Sequence, residues 1–253
     1  MEARPSRYGG YVKYLLALLL LLPNLAFASC KYDEINRIQR MTGVNVHCDY
    51  NPRTYFTPYL RGQCNVLSAK DPQFGNSEYI SLTIMRFINS YPKEITEKYL
   101  QNIYLLSDFY CDDMQMGGTC SDKSIYVMVY TYTSTKWLSE ALHHEFSSIL
   151  WRHNMFHMTK ANIGMISGYA AYDPNSLKDC LNKDGCREET EQLLRQGFLL
   201  AYGKTNIEND FNVYAEYLFT KKEHLETLAK KYPLVNQKVK LFKKFYADIG
   251  IPL

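Results

Sequence analysis

No hydrophobic run in this chain is long enough to cross a bilayer well. The apolar stretch Leu15–Leu22 falls short of the about 20 residues that a membrane-spanning helix requires. Net charge is small too, at +3 over 253 residues, which argues against a nucleic-acid-binding or strongly basic role. Internal repeats and low-complexity tracts are absent, leaving one domain of ordinary size, or one domain with an appended helical piece. What the chain does have is a hydrophobic content of 46%, enough for a real core, and 22 tyrosines, many in the first half. Strands and amphipathic surfaces account for such tyrosines without any function.

The N-terminus reads as an export signal. Arg4, Arg7 and Lys13 precede the Leu15–Leu22 run, followed by Pro23 and the Ala26-Phe27-Ala28 cleavage pattern, so residues 1–28 are expected to be a secretory signal peptide. Cleavage falls after Ala28 or immediately before Cys30. The second option resembles a bacterial lipoprotein signal in Ala28-Ser29-Cys30, though Phe27 stands where such signals usually carry Leu. Seven cysteines are present, and setting Cys30 aside leaves three sequence-local pairs: Cys48–Cys64, Cys111–Cys120 and Cys180–Cys186. Disulfides closing local loops suit an exported chain, with a Cys30–Cys48 bridge and a leftover thiol as the alternative. The destination expected is the bacterial periplasm or cell envelope, lipid-anchored if Cys30 is modified, and otherwise secretion.

Residues 30–253 are expected to form a single α+β domain, with the sheet in 30–134 and a mainly helical part in 135–253. Lys31–Met41 predicts a short amphipathic helix and Val44–Cys48 a strand, with His47 as a surface strand residue. Residues 49–78 are turn-rich and predict a long stapled connection. Glu78–Asn89 carries helical periodicity, Pro92–Gln101 starts another helix, and Asn102–Tyr110 is strand-like. Asp112-Asp113 belongs to a solvated acidic loop. Ser124–Thr133, β-branched and aromatic throughout, reads as the clearest strand. Ala161–Ala171 predicts a Gly-rich loop passing close to another element. Arg187–Leu200 and Phe211–Phe219 are expected helices, and Lys221–Ala247 a basic helix pair broken at Pro233.

The stretch that carries chemistry is Trp137–Asn154, WLSEALHHEFSSILWRHN. Its apolar residues recur at helical spacing, and Ser134 or Thr135 can cap its start. His143, His144 and Glu145 are inserted into this buried-looking helix. A His-Glu-x-x-His helix holds zinc with two imidazoles one turn apart and uses the Glu as general base. Here Ser148 stands at the second His position, and a hydroxyl is a poor zinc ligand. His143 is adjacent to His144, but neighbouring helix residues point about 100° apart. Glu140, one turn before His144, is placed for a carboxylate–histidine hydrogen bond. His153 and His157 read as C-terminal helix cations.

The run GGTCSDKSIYVMVYTYTSTKWLSEALHHEFSSIL, with GFLLAYGKTNIENDFNVYAEYLF downstream, resembles bacterial exported and lipoprotein zincins of the gluzincin type over roughly residues 117–220. The resemblance implies a zincin-like fold with a small mixed sheet over a central His-Glu helix. It implies zinc as cofactor, His144 as first ligand, Glu145 as general base and Glu216 as third ligand, with Asp210 as its supporting partner or its competitor. Ser148 and His143 are weak ligand candidates. Two functions follow: a zinc-dependent peptidase with a degenerate site, or an inactive zincin-like envelope protein that binds a peptide or protein partner in its cleft.

Overall fold

The computed structural model describes residues 32–51, 53–72, 77–130, 132–154, 160–181 and 184–253. The expected signal peptide, Cys30 and His157 lie outside them. The chain opens with helix α1 (Tyr32–Thr42) and strand β1 (Asn45–His47), and continues through short helix α2 (Pro58–Arg61) and strand β2 (Leu67–Lys70). Helices α3 (Ser77–Asn89) and α4 (Lys93–Tyr99) lead into the long strand β3 (Asn102–Cys111). Strands β4 (Met114–Gln115), β5 (Gly118–Cys120) and β6 (Ser124–Met128) complete the sheet. Helices follow: α5 (Thr135–His153), α6 (Lys160–Ser167), α7 (Ser176–Leu181), α8 (Glu191–Arg195), α9 (Ile207–Thr220), α10 (Lys222–Lys231) and α11 (Pro233–Asp248). Among the described residues no helix is long and apolar enough to cross a membrane.

Strand β3 organises the sheet because it is long enough to be paired differently at its two ends. Its first half lies parallel to β1 and β6, with Asn102 opposite Ser124 and Leu106 opposite Met128. Its second half is antiparallel to β2 and β4. The register slips beside β2, where Asp108 adopts a left-handed φ of 45°, bending the strand between the two halves. The path β1-β3-β6-β5 ends on β5, antiparallel to β6.

Alternation along β3 and β6 builds two cores. Ile103, Leu105, Ile125 and Val127 face the larger one, shared with α3, α5, α9 and α11, while Leu106, Phe109, Tyr126 and Met128 meet Tyr55, Phe56 and Leu60 on the other face. Helix α5 lies in the larger core with sheet on one side and α3 and α9 on others, so almost all of its faces are buried. Ser134 caps it, its hydroxyl accepting from the Trp137 amide at 3.1 Å. Ser134→Ala is expected to cost about 1 kcal/mol, read as a lower urea midpoint.

Several expectations are corrected here. The strand expected through Thr133 stops at Met128, after which Tyr130 and Tyr132 turn to solvent. The segment expected as a loop at 161–171 is mostly helix α6, and the close approach at Gly164 is to Tyr169 within the same segment: a methyl there would overlap that ring. The helix expected over 187–200 shrinks to α8.

Two of the three expected disulfides are also replaced. Cys64 bonds Cys111 with Cα atoms 5.4 Å apart. Cys120 is a free, buried thiol, and Cys48 is disulfide-bonded but not to Cys64. Register explains the change. Leu67 pairs with Cys111, bringing Cys64 to that end of β3, whereas Cys120 pairs with Ile125 and so lies level with Ile103, eight residues back along β3. That exceeds the roughly 5.5 Å between Cα atoms that a disulfide spans. Cys180–Cys186 closes a local loop, with Cα atoms 5.0 Å apart.

Candidate functional site

Helix α9 packs along α5, and the pair sets the site. Asn206 caps α9, accepting from the Asn209 amide at 2.8 Å, and Glu216 then falls opposite His144. The Nδ1 of His144 and Oε1 of Glu216 are 2.6 Å apart, with both residues buried. Glu145 sits beside them under β5. Gly118 is what permits this approach, since a methyl there would stand 2.9 Å from the Glu145 Oε1. His144, Glu145 and Glu216 line one cavity of about 330 Å³, together with Gly117, Trp137, Glu140, Arg187 and Tyr202.

The cavity holds a chain of opposite charges. The Nη2 of Arg187 bonds Oε2 of Glu216 and lies 3.9 Å from Glu140, whose other oxygen is 3.0 Å from the Lys221 Nζ. Burial pushes the Glu216 carboxyl up, but the charge of Arg187 and the bond to His144 outweigh it and hold the group below its usual range. Burial opposes a proton on His144, yet the hydrogen bond and charge of Glu216 raise the imidazole above its ordinary value. His144–Glu216–Arg187 is therefore an ion network centred on a carboxylate. Glu145 behaves differently: burial raises it to about 7, with His144 only partly offsetting the shift. Tyr202, its ring 5.6 Å from that of His144, is raised by burial and by the nearby Glu145 and Glu216.

Other expected site residues are placed elsewhere. His143 turns away from the cavity, as the 100° helical step demands. Its Nδ1 lies 2.7 Å from the Tyr91 hydroxyl, and its ring stacks on Phe219 at 4.6 Å. Ser148, one helical turn after His144, accepts from Asn212 Nδ2 at 2.7 Å and bonds Cys120, and it is not among the residues that line the cavity. Asp210, six residues before Glu216, falls on a different face of α9 and bonds Lys238 at 2.5 Å. Glu140 lines the cavity, but the carboxylate bonded to His144 is Glu216, not Glu140. His47 bonds Asn102 and stacks on Tyr104; His153 bonds Asp122 at the end of α5.

Arg187 and Tyr202 escape a reading of motifs, because neither belongs to the His-Glu helix and each arrives on a separate short turn. The adjacency of Arg187 to Cys186, whose disulfide lines the same cavity, is the one signal that could have pointed to it.

Four-coordinate zinc in proteins takes three or four imidazole, thiolate or carboxylate ligands. Among the described residues no three such groups converge in that manner. Both oxygens of Glu216 are engaged, by His144 and Arg187, and the Ser148 hydroxyl is spent on Asn212. The residues as arranged do not fit the metal.

Fold and cavity together define an α+β protein with an open mixed sheet and a buried His-Glu helix beneath its terminal strand. A solved structure from Bacteroides caccae ATCC 43185, described as a candidate zinc-binding metallo-peptidase, shares this fold: the TM-score is 0.51 at 15% sequence identity, over 87% of each chain. No protein-family model and no curated protein matches the chain.

Proposed function

We propose that this chain is an exported, zincin-like protein whose cleft binds a peptide strand and does not hydrolyse it. One observation carries the reading: the carboxylate that would complete a metal site, Glu216, is instead neutralised internally by Arg187 and His144. The cleft itself suits an extended peptide. Among the described residues strand β5 (Gly118–Cys120) ends the sheet and pairs only with β6, and Gly117 and Gly118 line the cavity, which leaves this edge of the backbone approachable from it. Main-chain pairing on such an edge binds peptides with little demand on their sequence. Export through residues 1–28 belongs to the same proposal.

A zinc-dependent peptidase is the second reading. Its specific support is the convergence of His144, Glu145, Glu216 and Tyr202 on one cavity, with the Glu145 carboxyl tuned near 7, a value suited to a general base. In either case Glu145 is the group that would hold or release a proton there.

Metal analysis of the mature protein after zinc incubation and dialysis separates the two. The expected result is substoichiometric zinc in the wild type, unchanged in His144→Ala and Glu216→Ala. Stoichiometric zinc that disappears in both variants would overturn the non-hydrolytic reading.

A further inference from the structure

Three of the tyrosines line a second crevice, of about 600 Å³, which shares no lining residue with the His144 cavity. Its place in the fold follows from strand β3. The parallel neighbours β1 and β6 end at His47 and Met128, while β3 runs on to Cys111. The chain leaves those carboxyl ends on opposite sides of β3, carrying Tyr50 after β1 and Tyr130 and Tyr132 after β6. Where neighbouring parallel strands part in this way, a crevice suited to ligands is left beyond their carboxyl ends. Between the tyrosines lie the bend of β3 at Ser107 and Asp108, and Lys70 and Asp71 at the end of β2.

Two of the rings have their hydroxyls committed to the protein, so what they present is aromatic surface. The Tyr130 hydroxyl accepts from Gln115 Nε2 at 2.6 Å and donates to Met128 Sδ at 2.8 Å, yet the residue is 39% exposed. The Tyr50 hydroxyl bonds the Ala69 backbone, and its ring packs edge-on against Tyr55 at 5.4 Å. Tyr132 is 95% exposed and contributes nothing to the core.

Charged groups stand beside these rings. The Lys70 ammonium lies 2.8 Å from Asp108 Oδ2, an exposed pair of little worth to stability. Asp108 nevertheless holds a left-handed φ of 45°, unfavourable for a residue with a side chain and the kind of strain that gathers at ligand sites. Asp71 adds a second carboxylate, held through Oδ1 by the Tyr50 amide. A ligand here must lay C–H groups on aromatic faces while meeting carboxylates and an ammonium with groups that both donate and accept. Hydroxyls do both, and Lys70 set among two carboxylates favours neither an anion nor a cation. A sugar ring combines an apolar C–H face with a rim of hydroxyls.

We propose that this crevice binds a neutral glycan, one sugar ring lying on Tyr130 and Tyr132 with its hydroxyls on Asp108, Lys70 and Asp71. The proposal is independent of whether the His144 cleft hydrolyses peptides.

The test is calorimetric titration of the mature protein with four neutral trisaccharides: maltotriose, cellotriose, mannotriose and N-acetylated chitotriose. Wild type, Tyr132→Ala, Asp108→Gly and Glu145→Gln are compared, with a melting curve for each. Asp108→Gly removes the carboxylate and keeps the left-handed backbone without steric cost. At least one trisaccharide is expected to bind the wild type with a millimolar or lower Kd, and about tenfold or more weakly to Tyr132→Ala and Asp108→Gly. Tyr132→Ala should melt as the wild type does, because its ring touches no core, and Glu145→Gln should keep wild-type sugar binding. Absence of millimolar binding by all four sugars would overturn the proposal. So would a folded Tyr132→Ala or Asp108→Gly that binds as tightly as the wild type, or binding lost in Glu145→Gln, which would move the sugar to the other cavity. A hexaproline peptide that binds more tightly than any sugar, and is lost in Tyr132→Ala, would overturn it in favour of a proline-rich partner.

Discussion

Lys238→Met is expected to destabilise the protein by about 3–5 kcal/mol, the typical cost of stranding one member of a buried ion pair. The Lys238 Nζ lies 2.5 Å from Asp210 Oδ2, which also accepts from the Tyr172 hydroxyl at 2.6 Å. The ammonium stands 4.3 Å from the centre of the Phe198 ring and 5.6 Å from that of Tyr214. Burial pushes the Asp210 carboxyl up and the Lys238 ammonium down, and each group is held charged by the other. Removing the lysine leaves a carboxylate with no cation. Asp210→Leu should cost a similar amount, but Lys238→Met/Asp210→Leu far less than the sum, because nothing charged is then left behind. Urea denaturation of the four proteins measures this. Additive losses in the double variant would show that the two residues act independently.

Acid should destabilise the protein through His143. Burial lowers this imidazole to about 3, and it is 2% exposed. The Tyr91 hydroxyl meets Nδ1, while Phe87 and Phe219 pack on the ring. The folded value lies below that of the unfolded chain, near 6.5. Stability from this group is therefore complete above about pH 6.5 and is lost as pH falls toward 3, because only the unfolded chain takes up the proton. Between pH 7 and 4.5 the loss attributable to His143 is about 2.5 kcal/mol. His143→Phe, which cannot titrate, should flatten that part of the stability–pH curve. A variant with the same acid slope as the wild type would assign the loss to other groups.

Much of the secondary structure was legible because local periodicity reports which face is buried. Helix α5 was expected over Trp137–Asn154 and spans Thr135–His153, with Ser134 as its cap. Helices α3 and α9 and strand β3 lie within a few residues of expectation. The β6 strand was overextended for a physical reason: Tyr130 and Tyr132 continue the β-favouring pattern, but no neighbouring strand pairs with them among the described residues. Composition cannot report a missing partner.

The amino-acid sequence alone determined the α+β class, the helix that carries His144 and Glu145, the absence of a second histidine at 148, and the Cys180–Cys186 loop. These depend on neighbours within a few residues, where helical step and spacing suffice. The disulfide from Cys64 to Cys111 depended on the register of β2 against β3. Pairing His144 with Glu216 required the packing of α9 on α5, across 72 positions in sequence. The arrival of Arg187 on Glu216 depended on a short turn held over the cavity. The identity of the site's cation was therefore decided only by tertiary structure, because a charge responds to distance in space and nothing in local sequence records which distant residue will come to neutralise it.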